Sequence, residues 1–119
     1  MRFLSKLMIL LVLVLAPISA ARAHAILLDS TPAVNATIAG PRVAFTLRYN
    51  SRIDHQRSRL TLTLPDRSTK VLPIAESSPE DELLTSAELS PGAYSLRWQV
   101  LAVDGHITRG DVPFTVTAP

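Results

Sequence analysis

The sequence predicts an all-β domain, a seven-stranded antiparallel Greek-key β-sandwich or flattened barrel. Strict period-two alternation of apolar residues, turn chemistry between the alternating stretches, and a length suited to one core all point there. Val43, Phe45, Leu47 and Tyr49 alternate with Arg42, Ala44, Thr46 and Arg48. Leu60, Leu62 and Leu64 alternate with Arg59, Thr61 and Thr63; Tyr94, Leu96, Trp98 and Val100 with Ser95, Arg97 and Gln99; Val112, Phe114 and Val116 with Pro113, Thr115 and Thr117. Each series places one set of side chains on a buried face and the other in solvent. Ala25 to Asp29, Thr69 to Ile74 and Glu82 to Ala87 complete the seven. Pro32, Gly40 with Pro41, Pro65 with Asp66, Ser77 to Pro79, Pro91 with Gly92, and Gly110 supply the turns. Short helical turns are expected near Ala33 to Ile38 and Pro79 to Leu84.

Residues 1–23 have the layout of a secretory signal. Arg2 and Lys6 precede the apolar run Leu7 to Leu15, Pro17 and Ser19 end it, and Ala21-Arg22-Ala23 is the small-x-small pattern of a cleavage site. The apolar run is too short to span a bilayer. Cleavage before His24 leaves a single exported domain over residues 24–119. It also removes Arg2, Lys6 and Arg22 from the 12 basic residues, leaving nine against 10 acidic ones. The resulting balance of −1 excludes the reading of the precursor's basic charge as a nucleic-acid footprint. The chain has no cysteine, and both of its methionines, Met1 and Met8, fall in the signal. Thiol catalysis and thiolate metal sites are thereby excluded, and the mature chain has no sulfur ligand.

If the seven strands run alternately up and down, the start of the first shares a pole with the loops after the second, fourth and sixth. These are Asn50 to Ser58, Ala75 to Asp81 and Asp104 to Gly110, so all three histidines, His24, His55 and His106, gather at one end.

Cleavage before His24 frees an α-amine, which with the imidazole Nδ1 of the same residue closes a six-membered chelate ring on a metal. Asp104-Gly105-His106 forms a tight turn in which Gly105 permits backbone angles closed to other residues, so that a carboxylate and an imidazole converge. His24, Asp104 and His106 together offer three nitrogens and one oxygen near a plane. Zinc can use the same residues, but tetragonal nitrogen and oxygen donors without thiolate favour one copper(II) ion. The plainer readings are a histidine that happens to follow the signal and an ordinary Asp-Gly turn. Asp54 and His55 are adjacent at the same pole, where either can act as a fifth or outer-shell group or belong to a solvated loop among Arg52, Arg57 and Arg59. Glu80, Asp81 and Glu82 read as a solvated acidic loop. Arg109 is a candidate to support the Asp104 carboxylate from behind.

These residues also carry a family likeness. The start His24-Ala25-x-Leu27-x-x-Ser30-x-Pro32-Ala33, the segment Pro91-Gly92-x-Tyr94-x-Leu96-x-Trp98, and Asp104-Gly105-His106 followed by Gly110 and Phe114-x-Val116 resemble the periplasmic copper-resistance protein CopC family. The resemblance implies a cupredoxin-like or immunoglobulin-like sandwich that binds copper(II) through His24, Asp104 and His106. Some members carry a methionine-rich copper(I) site at the opposite pole. Here that pole offers Pro65 to Ser68 without methionine, so a copper(I) site is expected to be absent. The chain departs from the family at Asn35, where glycine is usual, and at Asn50 to Arg52, where a Ser-Glu type pair is common.

The function expected is a non-enzymatic carrier or buffer in copper homeostasis or resistance, exchanging copper with an inner-membrane copper transporter. A histidine-brace copper monooxygenase is the alternative, against which stand the inward phases of Phe45, Tyr49, Tyr94, Trp98 and Phe114. A metal-free adhesion or assembly sandwich is the third reading.

Overall fold

The computed structural model describes residues 24–119; the signal peptide expected over residues 1–23 lies outside them. Eight strands follow in order: β1 (Leu27–Thr31), β2 (Ala36–Ala39), β3 (Arg42–Tyr49), β4 (Ile53–Thr63), β5 (Thr69–Leu72), β6 (Glu82–Glu88), β7 (Gly92–Ala102) and β8 (Ile107–Thr117). They form a three-stranded sheet, β1-β3-β6, and a five-stranded sheet, β2-β8-β7-β4-β5. All pairings are antiparallel except β2 with β8. The all-β sandwich class is as expected, with eight strands in place of seven.

The extra strand is β2, over a stretch expected to hold a helical turn. β1 starts beside the end of β3, and β2 runs parallel to β8, so β1 and β2 head the same way. They are two halves of one upward run that changes sheet at Pro32 to Asn35. Pro32 has no N–H to continue the ladder. Asn35 takes the left-handed φ of 63°, which Asn tolerates better than most residues, and its N–H donates to Pro113 O at 2.6 Å, docking the chain on the second sheet. Because the two halves count as one pass, the up-and-down parity is preserved. The second expected helical turn is a single hydrogen-bonded turn, Glu82 N to Pro79 O at 3.1 Å, before β6.

The core follows the alternation residue by residue. Val43, Phe45, Leu47 and Tyr49 of β3 meet Leu60, Leu62, Leu96, Trp98, Val100, Val112, Phe114 and Val116 of the facing sheet, all buried. Each such side chain contributes roughly 1.5–3 kcal/mol through removal from water. Phe114 stacks on Tyr94 with ring centroids 5.6 Å apart and meets Phe45 edge-on at 5.5 Å, joining the two sheets.

Two loops are shorter than expected. Gly110 reads as a turn residue but lies inside β8, where it faces Trp98 across the pair. A Cβ there would sit 2.4 Å from the indole ring, so the glycine makes room for the tryptophan. The turn before β8 therefore spans only 103–106. Likewise β4 begins at Ile53 rather than near Arg59, but its register with β7 jumps between Asp54 and Arg59. The bulged residues break the period-two pattern, which hides the strand from the sequence. Asp54 Oδ1 accepts from the N–H groups of Gln56 and Arg57 at 3.0 and 3.1 Å, and Ser58 Oγ donates to Asp54 O while accepting from Leu101 N, so the bulge is held.

Candidate metal site

Main-chain bonds bring together three of the four segments expected at the histidine pole. Asn50 N donates to Ile26 O at 3.0 Å, Tyr49 N to Asp81 O at 2.8 Å, and Ile53 N to Glu80 O at 3.0 Å. The first described segment thus lies against the β3–β4 turn, and the turn before β6 lies beside it.

The β7–β8 turn is closed by Gly105 N to Ala102 O at 3.0 Å and Ala102 N to His106 O at 2.9 Å. Gly105 has φ 88°, in the left-handed region that disfavours a side chain. Asp104 folds over this turn: Oδ1 accepts the His106 N–H at 3.0 Å, and Oδ2 lies 2.7 Å from His106 Nδ1. The His106 N–H, joined by the His106 side chain and the charge of His24, holds the Asp104 carboxyl below its ordinary range. A carboxyl lowered in this way favours the fold above the ordinary carboxylate range, and the effect is lost as pH falls through the lowered value.

His24 meets this turn from the other side. Its ring centroid lies 4.5 Å from that of His106, at an interplanar angle of 70°. One ligand atom from each of His24, Asp104 and His106 can be chosen so that all lie within 4.8 Å of one another, and all three residues are exposed. Among the described residues this is the one such group of three. It contains the three residues singled out from the sequence.

The other candidates go elsewhere. His55 Nε2 lies 2.8 Å from Glu82 O, bridging the β4 bulge to β6 across the sandwich. Asp54 is occupied in the bulge. Arg109, expected behind Asp104, donates to Gln99 Oε1 at 2.9 Å instead, because the two are register partners on the outward face of β7 and β8. Glu80 stands 4.0 Å from Arg52, with both side chains solvated.

Two polar residues beside His24, Asp104 and His106 have contacts that the sequence does not assign. Asn50 Oδ1 accepts the Ile26 N–H at 2.8 Å, and Thr108 Oγ1 donates to Ala25 O at 2.9 Å. Polar residues at strand ends are common, and which carbonyl or amide they reach depends on how the sheets meet.

A family model for the CopC domain matches residues 27–117. Protein YobA of Escherichia coli K12 is 33% identical over 98 residues, covering 79% of each chain, and YobA of Shigella flexneri matches equally. Among solved structures, CopC from Methylosinus trichosporium OB3b superposes with a TM-score of 0.69 at 25% identity, covering 80% of this chain and 95% of the other. PcoC, a methionine-rich copper resistance protein from Escherichia coli, matches in fold with a TM-score of 0.64 at 22% identity, covering 80% of this chain and all of its own. The chain belongs to the CopC domain family.

Proposed function

We propose that this is a copper-resistance protein of the periplasm that binds one copper(II) ion as cargo, through His24 as the first residue of the mature chain, Asp104 and His106. It is a binding protein and not an enzyme. The observation that carries the reading is the convergence of these three side chains from two ends of the sequence. Family membership makes copper the metal to test first.

The donor chemistry fits. Asp104 Oδ2 and His106 Nδ1 lie 2.7 Å apart. Two such atoms can both touch one ion with bonds of about 2.0 Å at close to a right angle, as a tetragonal ion requires. The α-amine and Nδ1 of His24 supply a second chelating pair. With nitrogen and oxygen donors and no thiolate or thioether, the set suits copper(II) over copper(I). Exposure of all three residues leaves the ion open to ligand exchange, which suits a carrier. A membrane copper transporter is the proposed exchange partner. Ile26, Val103 and Ile107, exposed beside the ligands at 56%, 68% and 52%, offer uncharged surface for the encounter.

The monooxygenase reading needs aromatic side chains displayed to a polymer. Phe45, Tyr49, Tyr94, Trp98 and Phe114 are all buried, at 7% exposure or less.

Binding requires the amine and both imidazoles to lose protons, whereas Asp104 is already ionised. Apparent copper(II) affinity is therefore expected to fall steadily as the pH is lowered. Competition titrations with a chelator at several pH values, on protein beginning at His24, measure it. Affinity unchanged across those values would exclude the amine and imidazole set.

A further inference from the structure

Three hydrogen bonds hold the residues immediately after His24, and they come from both sheets. Asn50, in the turn after β3, grips Ile26 at two points: its side-chain Oδ1 accepts the Ile26 N–H at 2.8 Å, and its own N–H donates to Ile26 O at 3.0 Å. Thr108 of β8 donates from Oγ1 to Ala25 O at 2.9 Å. Between the two grips the Ala25 side chain is buried to 1% exposure, while Ile26 is exposed and adds no apolar anchor. Ala25 and Ile26 precede the first residue of β1, so the β1–β3 ladder does not fix them. Thr108 stands two residues beyond His106 on the strand that leaves the metal turn.

We infer that Asn50 and Thr108 are positioning residues for copper(II): they clamp the Ala25–Ile26 peptide so that the His24 chelate faces the Asp104–His106 pair. This rests on the copper reading above. The site has two halves, each able to hold an ion by two atoms, on chain segments far apart in sequence. Full affinity needs both halves on one ion. The gain from joining them depends on the effective concentration of one half at the other, and a freely moving N-terminus lowers it. The clamp sets that concentration before metal arrives. Neither residue touches the ion, so the chemistry of the bound state is the same with or without them.

The test compares Thr108→Val, Thr108→Ser and Asn50→Ala in the chain beginning at His24, with copper(II) affinity from chelator competition, electron paramagnetic resonance at saturation, and the melting temperature of the metal-free protein. Thr108→Val keeps the shape of the side chain and removes the donor; Thr108→Ser keeps the donor. Expected are losses of about tenfold in affinity for Thr108→Val and for Asn50→Ala, within the 10–100-fold range usual when support behind a ligand is removed. Thr108→Ser should bind like the parent chain. The spectrum of saturated Thr108→Val should match the parent, since its ligands are unchanged. Parent-like affinity in both Thr108→Val and Asn50→Ala would overturn the clamp. So would a weakened Thr108→Val that Thr108→Ser does not correct, since that follows from lost packing rather than the lost bond. A chain with one extra residue before His24 is the control. If it binds as tightly as the parent, the copper site itself is wrong and the clamp falls with it; if it is weakened while both clamp variants bind normally, the clamp alone is wrong.

Discussion

His106→Ala is expected to weaken copper(II) binding by more than about 100-fold while leaving the metal-free fold almost unchanged. In the proposed site the imidazole is one of two donors from the β7–β8 turn, and its loss would leave Asp104 alone there. An oxygen ligand without its nitrogen neighbour no longer forms a chelating pair, so the joined gain of the two halves is lost along with the bond. The penalty should exceed the 10–100-fold typical of losing an outer supporting residue. The cost in stability should be small, within about 0.5 kcal/mol, because His106 is exposed and its ring makes no core contact. Copper competition titration alongside thermal unfolding without metal separates the two. A variant that binds copper like the parent would remove His106 from the site.

Phe114→Ala is expected to have the opposite profile, with a large loss of stability at a position away from the metal pole. Phe114 is 3% exposed, stacks on Tyr94 within its own sheet and meets Phe45 of the facing sheet edge-on. Truncating a buried phenylalanine costs about 3–5 kcal/mol through lost transfer energy and the cavity left behind. In a domain this small each kcal/mol lowers the melting temperature by about 4–8 °C, so a drop of more than about 12 °C is expected. Such a loss is a large share of the roughly 5–15 kcal/mol that holds a domain together. Denaturant unfolding measures it. A change below about 1 kcal/mol would mean that the interior tolerates a cavity the packing does not suggest.

The contrast between these residues explains how much was legible in the sequence. Phe114 could be placed because burial on one face of a strand imposes period two, and its neighbours Val112 and Val116 repeat the pattern. Failures came where another constraint overrides that period. Gly110 looks like a turn residue because a flexible residue and a residue cleared for a large neighbour are the same glycine; only its register against Trp98 tells them apart. The start of β4 was hidden because the bulged residues shift the alternation out of phase. β2 was missed because it is short and continues a run that changes sheets. The up-and-down parity is legible all the same, since both halves of that run point the same way.

The convergence of His24, Asp104 and His106 is legible for a different reason. Metal ligands come from few residue types, and a chain with three histidines and no cysteine leaves few combinations. Strand parity then required only the direction of each strand, not its exact ends. The partner of Arg109 is not legible in the sequence, because nearness to His106 says nothing about which face of β8 a side chain takes. Its odd-numbered phase, shared with Ile107 and Asp111, turns it toward Gln99. Asn50 and Thr108 lay beyond the reach of pattern, since their roles depend on which main-chain atoms of Ala25 and Ile26 the two sheets bring within reach.

The proposed site depends above all on the amine that processing would expose at His24. Its most direct test is a paired copper(II) titration of the protein beginning at His24 and of the same protein with one alanine added in front. The added residue converts the amine to an amide and leaves every side chain in place. A loss of affinity of more than about 100-fold, with a changed electron paramagnetic resonance spectrum, is expected when the chelate ring is broken in this way. Equal affinity and an unchanged spectrum in the two proteins would contradict the amine as a ligand, and with it the copper site centred on His24.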